Sequence, residues 1–223
     1  MEFIHFFIII ILIIIIYKYN EGKTFSVTYV KSSINNKQYL VRNLPDKQNA
    51  ANTLAEINQR FDKLIAFLKE KDIETLYKMY VVKNSSLNME KISKQQKLEY
   101  NKFKDDINRL INNYNSNSLS ENTPNSAYTA YSENKGQKIV FCIREKKTEK
   151  LIKLNTLMFV ALHEFAHLMT KSIGHTPEFW NNFKILLRIS IRNGIYQCQN
   201  FEQKAEKYCG TKITDSPLKC HDV

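Results

Sequence analysis

The sequence predicts an α+β domain, in which a small sheet lies beside a helix, preceded by a separate apolar helix at the N-terminus. Three observations lead to this prediction. Short alternating runs separated by turn residues indicate two β-hairpins, and apolar residues at spacings of three and four indicate amphipathic helices. A single long apolar run opens the chain. With 223 residues, 43% hydrophobic and 25% charged, the chain can bury one sizeable core.

The N-terminal apolar run covers residues 3–17 and is broken only by His5. A helix of this length spans about 22 Å, and snorkelling by Lys18 can bring it towards the ~30 Å hydrocarbon core of a bilayer. A cleaved signal peptide fits less well, because Glu2 precedes the run and no small-x-small site follows it. We therefore expect an uncleaved transmembrane anchor.

The predicted organisation is an anchor over residues 1–20, touching the membrane through residues 3–19, and one domain over residues 21–223. No Lys or Arg precedes the apolar run, whereas several lysines follow it closely. The positive-inside rule then places the domain on the cytoplasmic or virion-interior side of a membrane crossed once.

The first half of the domain is predicted to contain a hairpin and two helices. The hairpin strands are expected at 24–30 and 39–44, and Pro45-Asp46 opens the first helix. Its apolar face is formed by Leu54, Ile57, Phe61, Leu64, Ile65 and Leu68. The second helix is less regular, with apolar positions at Leu98, Phe103, Ile107 and Leu110. Residues 116–126 are expected to form a loop.

The second half is predicted to contain another hairpin and two more helices. Residues 127–131 and 138–143 flank a turn that contains Gly136. A helical pattern runs from Leu151 through His167. Thr176 and the proline after it have the pattern of an N-cap and first helical position, so a last helix is expected to about residue 193.

Charge and cysteine content leave several partners open. The formal net charge of +11 is compatible with a nucleic-acid partner, although scattered lysines in a Lys-, Asn- and Ile-rich sequence have a compositional explanation too. The four cysteines contain no CxxC pair, and we expect reduced thiols in a cytosolic domain. A second zinc site at Cys209, Cys220 and His221 is the alternative.

Residues 163–167 read His-Glu-Phe-Ala-His, an HExxH motif within a segment predicted to be helical. Residues four apart lie about 40° apart around a helix, so His163 and His167 project from one face and can share one zinc ion. Glu164 can then reach an attacking water as general base without binding the metal. The alternative is two surface histidines on an ordinary helix, but apolar neighbours on both sides favour a buried metal helix.

A catalytic zinc ion needs a third protein ligand and an open position for water. Gly174-His175 follows the motif after a segment long enough to turn the chain back, and the glycine permits a left-handed conformation. Glu178 is the rival ligand, because it opens the next helix. We favour His175.

The order HEFAH, then GH, then Thr-Pro-Glu-Phe179-Trp180 resembles the WLM metallopeptidases and, more distantly, the SprT/Spartan-type enzymes. Both groups have HExxH, a short loop, and a third histidine followed by an aromatic residue on the next helix. The motif occupies residues 157–187 and the resemblance about 127–218. The overall layout, including Tyr208-Cys209-Gly210, also resembles anchored metallopeptidase-like proteins of large DNA viruses.

The resemblance implies a minimal zincin-like metallopeptidase domain with its catalytic core at about 127–218. It matches His163, His167 and His175 to the Zn²⁺ ligands and Glu164 to the catalytic glutamate, with the two aromatic residues as a packing pair. It also implies proteolysis, since characterised members clear proteins crosslinked to DNA.

Three functions are therefore weighed. The first is a membrane-anchored zinc peptidase acting on a protein or peptide substrate, with Tyr208 or a histidine stabilising the oxyanion. The resemblance to zincins implies that residues 127–143 offer an edge strand to this substrate. The second is a protease of DNA-crosslinked proteins that binds nucleic acid through its basic surface. The third is a metal-stabilised membrane scaffold without turnover, which Glu164 argues against. The oligomeric state does not follow from the sequence.

Overall fold

The computed structural model describes residues 5, 8–15, 27–123, 126–133 and 136–223, and its architecture is α+β with a mixed sheet. The sheet has the strand order β1-β2-β3-β5-β4. Its strands are β1 (Val27–Lys31), β2 (Gln38–Arg42), β3 (Leu119–Glu121), β4 (Ala130–Glu133) and β5 (Lys138–Phe141). Strands β2, β3 and β5 run parallel, and β1 and β4 pair antiparallel at the two edges. Both predicted hairpins are present.

The helices pack together and against the sheet. They are α1 (Lys47–Glu70), α2 (Ile73–Leu76), α3 (Lys94–Asn113), α4 (Leu154–Met169) and α5 (Pro177–Arg192). A π-helical turn, Tyr77–Val82, continues α2, and short 3₁₀ segments occur at Met89–Lys91 and Cys220–Asp222. A separate hairpin, β6 (Glu206–Tyr208) and β7 (Thr211–Ile213), lies near the C-terminus.

The core lies where α1 meets both the sheet and α4. All six predicted apolar positions of α1 are buried. Phe61 of α1 stacks on Phe165 of α4, with ring centroids 3.5 Å apart. Because Phe165 points into this core, the opposite face of α4 remains for His163 and His167.

The second predicted helix is α3, and one of its predicted core positions is wrong. Phe103, Ile107 and Leu110 are buried, whereas Leu98 is 58% exposed. Leu98 precedes Phe103 by five residues, a spacing that places it on the opposite side of a helix with 3.6 residues per turn.

The predicted loop at 116–126 contains the central strand β3, which is a correction to the prediction. Ser120 aligns with Leu40 of β2 on one side and with Val140 of β5 on the other. The strand is short and largely polar, so its alternation is invisible in the sequence. Its backbone bonding on both sides, rather than apolar side chains, places it in the sheet.

The predicted membrane-spanning helix is wrong. Residues 8–15 of the apolar run are helical, but no helix in the described ranges has both the length and the apolar character needed to cross a membrane. The rest of the 3–17 run, apart from His5, lies outside the described residues. The transmembrane character of the predicted anchor over residues 1–20 and the single-pass localisation are corrected accordingly, whereas a membrane contact through residues 3–19 stays a prediction.

The prediction of reduced cysteines is also wrong. Cys142 is disulfide-bonded to Cys209, and Cys198 to Cys220. Since Cys209 and Cys220 belong to different disulfides, they do not form a second zinc site with His221. Disulfides persist in oxidising compartments. The predicted cytoplasmic location of the domain is therefore no longer supported by its cysteines.

Candidate metal centre

The HExxH residues lie in the middle of α4, as predicted. His163 and His167 project from one face of the helix, with their ring centroids 5.0 Å apart. Both rings are half-buried, and Glu164, the residue after His163, is almost completely buried. The four-residue spacing therefore places the two imidazoles side by side at the helix surface.

The loop after α4 brings a third imidazole to this pair. Gly174 has a φ of +83°, a left-handed conformation that glycine adopts without strain. His175 follows, and its Nε2 atom lies 2.9 Å from the Nε2 atom of His163. One ring nitrogen from each of His163, His167 and His175 lies within 4.8 Å of the other two. The structure thus brings together the three histidines that were predicted from the sequence as metal ligands.

Hydrogen bonds fix both helices at the point where this loop begins. The Thr170 hydroxyl donates to the Ala166 carbonyl oxygen (2.7 Å) and accepts from the Asn182 amide of α5 (3.0 Å). The same amide donates to Asp106 of α3 (3.2 Å), whose pKa is raised by burial. These buried groups join α3, α4 and α5 at the base of the loop, so the path of the chain towards His175 is restricted.

Glu178, the rival ligand, points elsewhere. Its carboxylate accepts a hydrogen bond from the Ser172 backbone N–H (3.2 Å) and forms an ion pair with Lys102 (3.4 Å). The Ser172 contact closes the loop onto the first turn of α5. Glu178 therefore shapes the loop, and His175 is the side chain that joins the other two histidines.

The predicted aromatic pair packs around the histidines. Phe179 is fully buried, and its ring centroid lies 4.2 Å from that of His167 and 4.8 Å from those of His163 and His175. Trp180 stacks on His175 at 5.6 Å. These contacts restrict the ring orientations, and α5 is positioned to provide them by the Thr176 cap that the sequence predicted.

Burial shapes the acid–base behaviour of the site. It lowers the pKa of His163 to about 3, with the neighbouring histidines acting in the same direction. It raises the pKa of Glu164 to about 7. Neutral imidazoles are the form that binds a metal, and a carboxyl group that titrates near neutrality is suited to proton transfer.

The histidines lie in a cleft of about 660 Å³ with four walls. Edge strand β4 and helix α4 form two of them, and the loop before α5 forms the third. The fourth is the β6–β7 hairpin, which contributes Tyr208 and Ile213. The Tyr208 hydroxyl donates to the Thr129 carbonyl oxygen (3.2 Å), and burial followed by the charge of Glu164 raises its pKa. Tyr208 was one of the residues considered for oxyanion stabilisation, and it lies at the site.

Sequence reasoning missed the hairpin as part of the cleft. The available signal was the Tyr208-Cys209-Gly210 sequence, since both residues after the tyrosine have positive φ and form a tight turn. Cys209 is bonded to Cys142, which directly follows β5. The disulfide therefore fastens this wall of the cleft to the sheet.

Comparison with known proteins identifies relatives among viruses. The uncharacterized protein R325 of Acanthamoeba polyphaga mimivirus is 35% identical over 193 residues, which cover 86% of this chain and 85% of R325. This chain belongs to the R325 family. No family model matches the chain, and no solved structure matches it significantly.

Shorter matches extend the viral relationship of the R325 family. Uncharacterized protein 042R of invertebrate iridescent virus 3 is 41% identical over 58 residues, 26% of this chain and 36% of the relative. Uncharacterized protein 136R of invertebrate iridescent virus 6 is 39% identical over 69 residues, 30% of this chain and 38% of the relative. The viral part of the predicted resemblance agrees with these relatives, whereas none of them carries a hydrolase or metalloprotease name.

Proposed function

We propose that this chain is a zinc-dependent peptidase, with His163, His167 and His175 as metal ligands and Glu164 as general base. The observation that carries the proposal is the convergence of three ring nitrogens beside a buried glutamate in an open cleft. Three protein nitrogens with one position left for water are the donor set of catalytic zinc sites.

The residues present fit such an ion. Two of the nitrogens face each other at 2.9 Å, and burial favours the neutral form of His163. Imidazole nitrogens are preferred zinc ligands. The packing of Phe179 against all three rings is of the kind that holds ligands in place before the metal binds.

Glu164 performs the proton transfers in this proposal. Zinc supplies Lewis acidity at such a site, which makes water a nucleophile near neutral pH. Glu164 accepts the proton as water attacks the peptide carbonyl, and delivers it to the leaving amine. The Tyr208 hydroxyl lies in the same cleft, and it can donate to the developing oxyanion if it exchanges its hydrogen bond to the Thr129 carbonyl oxygen for one to the substrate.

The substrate binds as an extended strand. Strand β4 pairs with β5 on one side only, and Ala130, Tyr131 and Ser132 line the cleft beside the histidines. An extended peptide can add to this edge through main-chain hydrogen bonds, which places its carbonyl groups across the cleft. The arrangement therefore suits a polypeptide substrate.

The scaffold alternative requires a closed metal site. A structural zinc ion takes four protein ligands. Within the described ranges, the metal-ligating cluster consists of three histidines, and Glu178 is bonded to Ser172 and Lys102. The three-donor arrangement favours turnover over a purely structural metal.

The test is the zinc content of the purified full-length chain by elemental analysis. We expect about one zinc per chain in the parent, and loss or strong weakening in His175→Ala. His221→Ala is the matched control, because His221 is 82% exposed and outside the cluster, and it should retain zinc. A folded parent that takes up no zinc when supplied with it would refute the site.

Activity is tested separately on an unstructured protein substrate. Glu164→Gln removes the general base while leaving all three ligands, so it should keep its zinc and lose hydrolysis by at least about 10²-fold. Equal rates for the parent and Glu164→Gln would contradict the assigned role of Glu164, even if zinc were bound.

A further inference from the structure

A second cavity, of about 340 Å³, shares His163 with the catalytic cleft. It lies between helices α4 and α5 and the segment after β7. Its other lining residues are Phe159, Trp180, Phe183, Asp215, Ser216 and Pro217. Since one histidine lines both spaces, a group in this cavity lies directly beside the three-histidine cluster.

Aromatic rings form most of the cavity wall. Phe183 lies 5.2 Å from Phe159 and 6.4 Å from Trp180, measured between ring centroids. Phe183 and Phe159 are buried, whereas Trp180 is 44% exposed. A large, partly exposed aromatic ring above a buried aromatic floor gains contact area when an apolar group covers it.

The one acidic residue at the cavity rim is already paired. The Asp215 carboxylate accepts hydrogen bonds from the Lys219 ammonium (2.7 Å) and from the Ser216 backbone N–H (2.7 Å). Lys219 also donates to Glu202 (2.6 Å). Because Asp215 has a cationic partner, the rim offers little attraction for a lysine or arginine side chain.

We propose that this cavity is a specificity pocket, which binds a large apolar side chain of a peptide substrate at a position flanking the cleaved bond. This inference rests on the proposed peptidase function. One residue of an extended chain spans about 3.3 Å, so a side chain beside His163 belongs to a residue next to the carbonyl at the metal cluster. The substrate class is therefore peptides with Leu, Met, Phe or a similar residue adjacent to the scissile bond.

Trp180 makes the pocket directly observable. It is the only tryptophan in the chain, so intrinsic tryptophan fluorescence reports on the surroundings of this one side chain, which lines the cavity and stacks on His175. We would titrate full-length Glu164→Gln with capped alanine pentapeptides whose central residue is leucine, alanine or lysine. The leucine peptide should shift Trp180 emission to shorter wavelength and half-saturate at about tenfold lower concentration than the alanine peptide. The lysine peptide should bind no better than the alanine peptide.

A filled pocket provides the structural control. Ser216→Phe places a ring at the cavity rim and should reduce the leucine preference to less than about twofold. Ser85→Phe adds the same ring at an exposed position that lines neither cavity, and should leave the preference unchanged. A loss of fold stability in Ser216→Phe would be shown by its melting temperature. In that case the titration of Glu164→Gln with the three peptides, in which Ser216 is unchanged, still tests whether the cavity prefers leucine.

Two outcomes would overturn the pocket assignment. One is equal half-saturation for all three peptides, and the other is tightest binding of the lysine peptide, lost on Asp215→Asn. Because the titration requires neither turnover nor bound metal, it separates the two proposals. If the leucine peptide binds selectively but the parent hydrolyses nothing, the pocket is supported and the peptidase function is rejected. If the parent hydrolyses peptides but shows no side-chain preference, the peptidase function is supported and the pocket is rejected.

Discussion

The two disulfides should differ in what their loss does to the cleft. Cys142–Cys209 fastens the β6–β7 hairpin, which carries Tyr208, to the end of β5. Cys198–Cys220 joins two segments that do not line the cleft. The perturbation is a pair of double variants, Cys142→Ser with Cys209→Ser, and Cys198→Ser with Cys220→Ser.

The expected stability losses follow from the lengths of the closed loops. In the chain-entropy model, removing Cys142–Cys209, with a sequence separation of 67 residues, lowers the free energy of unfolding by about 4.4 kcal/mol. Removing Cys198–Cys220, with a separation of 22 residues, lowers it by about 3.4 kcal/mol. For a chain of this size, 1 kcal/mol corresponds to roughly 2–4 °C in melting temperature. Both double variants should therefore melt about 7–18 °C lower, with only a small difference between them.

The functional losses should separate the two variants. Without Cys142–Cys209, the hairpin wall is free to move away from Glu164, so KM for a peptide substrate should rise several-fold. The other double variant should keep its KM when assayed well below its melting temperature. Calorimetry and initial-rate kinetics are the two assays. Equal KM values in both variants would refute the role of the first disulfide in holding the cleft.

Three further substitutions test the site and its supports. Gly136→Ala would drive a Cβ atom into the Asn113 carbonyl oxygen at a φ of +110°, so we expect a loss of roughly 2–5 kcal/mol in the free energy of unfolding. Gly194→Ala, with a φ of +64° and nothing within 4 Å, should cost about 1–2 kcal/mol, and urea titration of both variants checks the difference. Glu178→Gln should retain the zinc stoichiometry of the parent in elemental analysis, because its carboxylate is outside the histidine cluster. Loss of zinc in Glu178→Gln would show that Glu178 is needed for metal binding, which contradicts a site formed by the three histidines.

Local signals predicted the parts of the molecule that local interactions determine. Helix α5 begins where Thr176 and Pro177 indicate, because the cap bond from the Phe179 N–H involves neighbouring residues. The four-residue spacing of HExxH determines a common helix face for two histidines. Gly174 correctly indicated a reversal of the chain, so the position of the third histidine also followed from the sequence.

Long-range interactions determine what the sequence did not reveal. Strand β3 is held between two strands, and its buried Glu121 accepts hydrogen bonds from the Arg42 backbone N–H (2.8 Å) and the Arg144 side chain (2.7 Å). Those partners are 79 and 23 residues away along the chain. When only the sequence is considered, a largely polar tripeptide whose partners are so distant cannot be distinguished from a loop. The disulfide pairings, and the position of the β6–β7 hairpin at the cleft, likewise depend on contacts between residues that are far apart in the sequence.

The Cys142–Cys209 disulfide also encloses, in sequence, the residues of the proposed metal site. All three histidines lie between its two cysteines in sequence, as does Ile173, which is 89% exposed at the edge of the cleft. A peptidase can cut its own exposed loops, and a cut at Ile173 would separate the HExxH segment from His175 along the backbone. The two fragments would nevertheless remain covalently joined. Such autolysis would give one band on a non-reducing gel and two after reduction, so a cut chain would pass as intact on a non-reducing gel alone.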